Sequence, residues 1–189
     1  MSNKVIVKKF GGSSVGTPAR IRHVAERVAK SRRAGESMVV VVSAMQGETD
    51  RLLQLAEQMS AQADLREVDQ LLATGEQASA ALLAIALKDM GIPARSLNAQ
   101  QMKLRTDGRF SRARMHRLEG SAMQDALKAG EVVVATGFQG IDAEGSVTTL
   151  GRGGSDTSAV GLAAALNASE CEIYTDVLGV YTADPNICP

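Results

Sequence analysis

Three short runs rich in β-branched residues constrain this chain more than any other feature: Val5-Ile6-Val7, residues 38–42 and residues 132–136. The second run is apolar at every position, the pattern of a strand covered on both faces rather than on one. Between the runs, apolar residues recur at helical spacing, as in Ile21, Val24, Ala25 and Val28. Strands alternating with helices call for an α/β fold: a three-layer αβα sandwich around a largely parallel sheet.

Local signals sharpen that outline. Thr17 reads as an N-cap with Pro18 at the first helical position, and Gly35 as the stop of that helix. Helices are predicted over residues 49–60, 65–72, 76–90 and 115–129, with Gly91 and Gly130 as stops. Residues 94–97 read as a further strand, and Asp107-Gly108 as a hairpin turn in a polar stretch. Residues 137–154 are glycine-rich, with a turn at Ala143-Glu144-Gly145. Ser155 or Asp156 is expected to cap a helix reaching Leu166. Residues 172–174 and 177–181 are the last strand candidates. After Asp184-Pro185 no closing element follows, so the fold is expected to be incomplete at its C-terminal end.

Composition excludes several classes. The 189 residues are 44% hydrophobic, enough for one domain with a core. Lys+Arg and Asp+Glu stand at 21 each, which speaks against a nucleic-acid or anionic-membrane surface. Aromatic residues make up only 3%, too few for a base-stacking platform. Cys171 and Cys188 have no paired cysteines or histidines at zinc spacing, and Cys171 reads as a small strand residue. No apolar stretch of membrane-spanning length and no leader is evident, so a cytoplasmic protein without nucleic-acid or membrane partners is expected.

Two glycine segments carry the chemistry. Lys9-Phe10-Gly11-Gly12-Ser13-Ser14-Val15-Gly16 follows a strand and feeds a helix, a place where free N–H groups and the helix dipole suit phosphate. Its spacing fits neither a P-loop nor a dinucleotide fingerprint, because the lysine precedes the glycines. A tight turn with a solvated lysine stays open for this segment alone. Leu150-Gly151-Arg152-Gly153-Gly154-Ser155-Asp156 adds an arginine fork for carboxylate or phosphate. Asp156 could orient the first segment's lysine, hold a metal, or only cap its helix. Two such loops in one α/β chain point to phosphoryl transfer. Thr74-Gly75-Glu76 is weak by itself, since a glutamate at a helix start is favoured by the dipole. Ser43 and Thr49 read equally well as caps, and His23 and His116 as surface residues.

Together these segments resemble the amino-acid kinase family, and within it the aspartate kinases, over essentially the whole chain. The resemblance rests on Lys9-Phe10-Gly11-Gly12, Val42-Ser43-Ala44-Met45, Thr74-Gly75-Glu76 and Gly137-Phe138-Gln139-Gly140. It continues through Thr149–Asp156, Thr175-Asp176-Val177, Gly179-Val180-Tyr181 and Asp184-Pro185. It implies ATP- and Mg²⁺-dependent phosphorylation of the L-aspartate side chain to 4-phospho-L-aspartate, the first step toward lysine, threonine and methionine.

The implied roles fall on particular residues. Lys9 bridges the transferring phosphoryl group with the Gly11 and Gly12 amides beside it, and Asp156 orients Lys9. Arg152 clamps an aspartate carboxylate next to Gly153, Glu76 pairs with the α-ammonium, and Ser43, Thr49 and Phe138 line the pocket. Ser13, Thr175, Asp176, Tyr181 and Asn186 fall to the nucleotide, with Mg²⁺ held by ATP phosphates and water and no protein metal site. No general base is needed, because the acceptor carboxylate is already ionised. The resemblance further implies a catalytic domain over 1–189, with a substrate lobe over about 1–140 and the start of a nucleotide lobe over about 141–189. It shows no ACT regulatory domain, and implies a homo-oligomer or association with a longer aspartokinase subunit.

Three positions depart from the family pattern. Asn186 stands where a basic residue is usual, Leu178 where an acidic one is frequent, and Phe110 where many relatives carry histidine. Two other readings therefore remain: a kinase of the glutamate or N-acetylglutamate type, and a truncated remnant that binds ligand or a partner subunit without catalysis.

Overall fold

The computed structural model describes residues 4–151 and 153–175. Its centre is a five-stranded sheet of β1 (Val5–Phe10), β2 (Ser37–Val42), β3 (Ala94–Leu97), β6 (Val132–Thr136) and β9 (Glu170–Tyr174). The strand order is β3-β6-β2-β1-β9 and every pairing is parallel. Strand β2 is buried along nearly its full length, as its unbroken apolar run requires.

Alternate residues of the strands feed two separate cores. Met38, Val40 and Val42 face one side, with Ile21, Val24 and Val28 of α1 (Pro18–Arg33) and Ala80, Leu83 and Leu87 of α3 (Leu65–Asp89). Val39 and Val41 face the other, with Met123 of α5 (Ser121–Lys128) and Ala159 and Leu162 of α6 (Gly154–Ala165). The three layers expected from the sequence are therefore present. Helix α2 (Glu48–Met59) packs on α3 through Leu52, Val68 and Leu72. The Thr17 hydroxyl accepts from the Arg20 N–H at 3.2 Å and caps α1 as predicted.

A second sheet sits above the carboxyl ends of the first. It contains β4 (Leu104–Thr106), β5 (Met115–Leu118), β7 (Gln139–Ile141) and β8 (Val147–Thr149) in the order β5-β4-β7-β8. A short helix, α4 (Ala99–Met102), leads into it with an Asn98–Gln101 capping box.

Several expectations need correction. Residues 65–72 and 76–90 are one helix, α3, with no break at Thr74-Gly75. Gly75 serves close approach instead: a Cβ there would lie 2.8 Å from the Ala44 Cβ. Residues 115–129 are not one helix; 115–118 pair antiparallel with β4, and Gly120, at φ +65°, opens α5. Met115 and Leu118 fit helical spacing as well as strand pairing, so the tertiary partner decides. The Asp107-Gly108 turn belongs to a longer connection, closed where the Asp107 carboxylate accepts from the Arg109 and Arg114 N–H groups. The glycine-rich stretch contains the β7–β8 hairpin, whose strands are too short to show a period. Neither Ser155 nor Asp156 caps α6: its N-cap is Gly153, and both lie in the first turn. Cys171 is exposed, because β9 is an edge strand among the described residues. Among those residues α3 alone has the length and apolar content to cross a membrane, yet it carries Asp69 and Glu76 and fills the core. The strand expected at 177–181 lies outside the described residues.

Candidate active site

Strands β6, β2 and β1 are neighbours, so the loops leaving their carboxyl ends converge. With the start of α6 they enclose a cleft of ≈ 370 Å³.

Lys9 enters from β1. It shares the side of the strand that Val7 uses, toward α6, and its Nζ lies 2.6 Å from Asp156 Oδ1. The lysine side chain is 10% exposed and the aspartate 48%, so the ion pair sits at the cleft wall with its carboxylate partly in water. Gly12 follows where a Cβ would come within 3.1 Å of the Ala44 carbonyl oxygen. A side chain there would press the β1 loop away from the β2 loop.

The first turn of α2 supplies Thr49, and the β2 loop supplies Ser43 and Gln46. Its Ser43 N–H donates to the Phe10 carbonyl at 3.2 Å. Its Ala44 N–H donates to Glu76 Oε1 at 3.0 Å. Glu76 reaches the cleft from the middle of α3 and is only 3% exposed. Burial pushes its carboxyl up to about 7, and the Ala44 N–H offsets this only in part. Its second oxygen, Oε2, is buried with no hydrogen-bond partner among the described residues. A buried acceptor without a donor is costly, so the site is built for a donor that arrives with a ligand.

The remaining wall comes from the loops after β6 and β8. Phe138 lines the cleft with φ +66°, a left-handed conformation that a bulky residue adopts at a cost of roughly 1–2 kcal/mol. Two hydrogen bonds hold it: its N–H donates to the Ser158 hydroxyl at 3.0 Å, and its carbonyl accepts from Leu150 N–H at 2.8 Å. Gly151 and Gly153 also line the cleft, both left-handed. Helix α6 starts there without a side-chain cap, and Gly153, Gly154, Ser155 and Asp156 line the cleft, so the positive end of the helix stands beside Lys9.

Lys9, Gly12, Ser43, Thr49, Glu76, Phe138, Gly153 and Asp156 therefore meet around one cleft, and Gly11 adjoins Lys9. Ser13 and Thr175 do not line it. They border a separate cavity of ≈ 590 Å³ beside α1, where Phe10 stacks on Tyr174 with centroids 4.6 Å apart. Arg152, Asp176, Tyr181 and Asn186 lie outside the described residues. Sequence reasoning missed Gln46 and Asp50, which also line the cleft, and Asp69, which is fully buried. Asp69 carried a readable sign, an acidic residue between Val68 and Leu72 on the apolar stripe of a helix. Gln46 carried none.

Residues 4–189 match the Amino acid kinase family. The chain is similar to the aspartate kinase of Stutzerimonas stutzeri, 55% identical over 97% of this chain and 44% of that protein. The aspartate kinase structure from Synechocystis superposes with a TM-score of 0.82 at 48% identity, covering 97% of this chain and 30% of that one. E. coli aspartokinase III in complex with aspartate and ADP gives 0.86 at 29% identity, over 97% and 52%. The chain spans about half the length of the relatives it matches, or less.

Proposed function

The chain belongs to the amino acid kinase family, and from that membership we propose that it forms the catalytic site of an aspartate kinase. The reaction transfers the γ-phosphoryl group of ATP to the side-chain carboxylate of L-aspartate, giving 4-phospho-L-aspartate. The observation that carries this reading is the pairing of opposite functions in one cleft. A lysine held by Asp156 stands at a helix start, and a buried glutamate oxygen faces the same space without a donor.

Lys9 and the first turn of α6 suit the phosphoryl oxygens, where fixed positive charge stabilises the transition state. Glu76 Oε2 suits an α-ammonium, and Arg152, next to Gly153 in the chain, is the carboxylate clamp. An N-acetylated amino acid offers a neutral amide N–H in place of an ammonium and would leave the buried charge of Glu76 uncompensated, which favours a free amino acid. Among the described residues no group of three or more His, Cys, Asp or Glu is placed to hold a metal. Mg²⁺ would arrive on the ATP phosphates with its waters, taking at most one or two carboxylates. Asp176 and Tyr181 are assigned to the nucleotide on sequence grounds.

The test is ATP- and Mg²⁺-dependent formation of aspartyl hydroxamate, with hydroxylamine trapping the acyl phosphate. Activity in the wild type, lost in both Lys9→Ala and Arg152→Ala, is expected. A folded wild-type chain that binds ATP yet neither binds nor phosphorylates aspartate overturns the reading.

A further inference from the structure

Helix α3 turns three polar groups to one buried face, at Asp69, the Ala73 carbonyl and Glu76, spaced four and then three residues apart. Each fastens a different segment of the cleft. Glu76 takes the Ala44 N–H of the β2 loop. The Ala73 carbonyl accepts from the Gln139 side-chain amide at 3.0 Å, on β7. Asp69, 0% exposed, takes the most. One oxygen accepts from the Thr149 N–H at 2.7 Å and the Ser111 N–H at 2.8 Å. The other accepts from the Thr149 hydroxyl at 2.8 Å, the Ser111 N–H at 3.0 Å and the Ser111 hydroxyl at 3.4 Å.

No cation pairs with Asp69 among the described residues. Amides and hydroxyls alone replace its water, which satisfies a buried carboxylate only if all of them stay in place. An apolar side chain would anchor α3 to the second sheet without that demand.

One donor segment leads into the cleft and the other packs against it at Gly151. Thr149 ends β8, and the next residue, Leu150, bonds the carbonyl of Phe138. Gly151 and Gly153 then line the cleft. On the other side, the Ser111 carbonyl lies 3.2 Å from where a Cβ of Gly151 would stand, and the Ala113 N–H donates to the Thr149 carbonyl at 2.8 Å. Asp69 thus joins the two strands of backbone that frame the start of the Gly151–Gly154 loop. We propose that Asp69 is a positioning residue, which sets Gly151 at the cleft wall for the substrate carboxylate by holding the Thr149 and Ser111 amides together. It touches neither substrate nor nucleotide, and the proposal rests on the aspartate-kinase reading.

The experiment compares wild type, Asp69→Asn, Thr149→Val and Thr149→Ser for thermal stability, aspartate affinity, ATP affinity and amide hydrogen exchange. The amide nitrogen introduced in Asp69→Asn cannot accept, so at least one donor loses its partner. The expected result is a folded protein with ATP affinity within about twofold of wild type and aspartate affinity weakened by about tenfold or more. Exchange at residues 149–154 becomes faster, while the α3 amides keep their protection. Thr149→Val removes one hydroxyl donor and shows a smaller loss of the same sign, and Thr149→Ser restores it. A folded Asp69→Asn protein with wild-type aspartate affinity and exchange overturns the proposal, as does equal weakening of ATP and aspartate. If Asp69→Asn does not fold, Thr149→Val decides, and unchanged aspartate affinity overturns the proposal. If the wild type binds ATP but not aspartate, the functional reading fails by itself. Faster exchange at residues 149–154 in Asp69→Asn then still assigns the positioning role, and unchanged exchange removes it.

Discussion

Gly12 and the glycines at 151 and 153 border the same cleft, and Lys9 and Asp156 link the two segments at its wall. In the first segment the backbone is ordinary, and space is what matters. Neither Gly11 nor Gly12 has a positive φ, but a Cβ on Gly12 would press on a neighbouring carbonyl. In the second segment conformation matters: Gly153 sits at φ +75° with nothing within 4 Å of where its Cβ would stand. Gly12 is fixed by what surrounds it and Gly153 by how its chain must turn. Losing a glycine should therefore damage the two loops in different ways.

The largest effect should come from cutting the link itself. Lys9→Ala is expected to lower hydroxamate formation by roughly 10²–10³-fold, the scale for removing one preorganised electrostatic contact. Asp156→Asn should lose less, because the lysine charge remains. A Lys9→Ala protein with near wild-type turnover would show that the two loops do not act through this pair.

Next comes the pH dependence of aspartate affinity. Glu76 must be ionised to pair with an ammonium, and its carboxyl is pushed up to about 7 in the free protein. Affinity should rise by about tenfold per pH unit below that value and level off above it. The opposite sign applies to folding. A carboxyl whose folded value is raised binds its proton more tightly when folded, so its contribution to stability declines as pH rises from its ordinary value toward about 7. Glu76→Gln should remove both trends, as calorimetric titrations and melts over pH 5–8 would show; a slope that survives in the variant assigns the titration elsewhere.

The glycine substitutions separate the loops directly. Gly12→Ala should cost about 1–3 kcal/mol of stability, the range for overpacking, here against the Ala44 carbonyl. Gly153→Ala should cost about 1–2 kcal/mol, the penalty for a left-handed alanine in open space. Chemical denaturation measures both. Gly153→Asn tolerates the left-handed region better and should recover part of the loss, whereas Gly12→Asn should be worse than Gly12→Ala. If asparagine fails to help at Gly153, the contrast between the loops is wrong.

The sequence showed the central layers well, because β2 and β6 are buried on both faces and α1 carries its own cap and stop. It showed the second sheet poorly. Strands of three or four residues such as β7 and β5 hold too few positions for a period, and partners distant in the chain specify them. The Thr74-Gly75 break was a misreading of a related kind: local propensity puts a glycine outside helices, while packing against Ala44 puts it inside one. At the site, Lys9, Asp156 and Glu76 were legible because glycines and resemblance marked them. Asp69 went unnoticed because its partners lie 42 and 80 residues away, at Ser111 and Thr149.

The register of β1 has a consequence for the order in which the protein is made. One edge of this strand meets β2, which follows within a few turns of helix, but the other meets β9, where Ile6 stands opposite Glu170. During synthesis that second edge must wait, with its amides open, until nearly all of the described chain has emerged. Lys8 sits on it. In the finished protein Lys8 is buried, 2.8 Å from Glu36 and 3.7 Å from Glu172, its cross-strand neighbour on β9. Glu36 arrives early and Glu172 late. The lysine charge therefore gains its second partner only once β9 has docked.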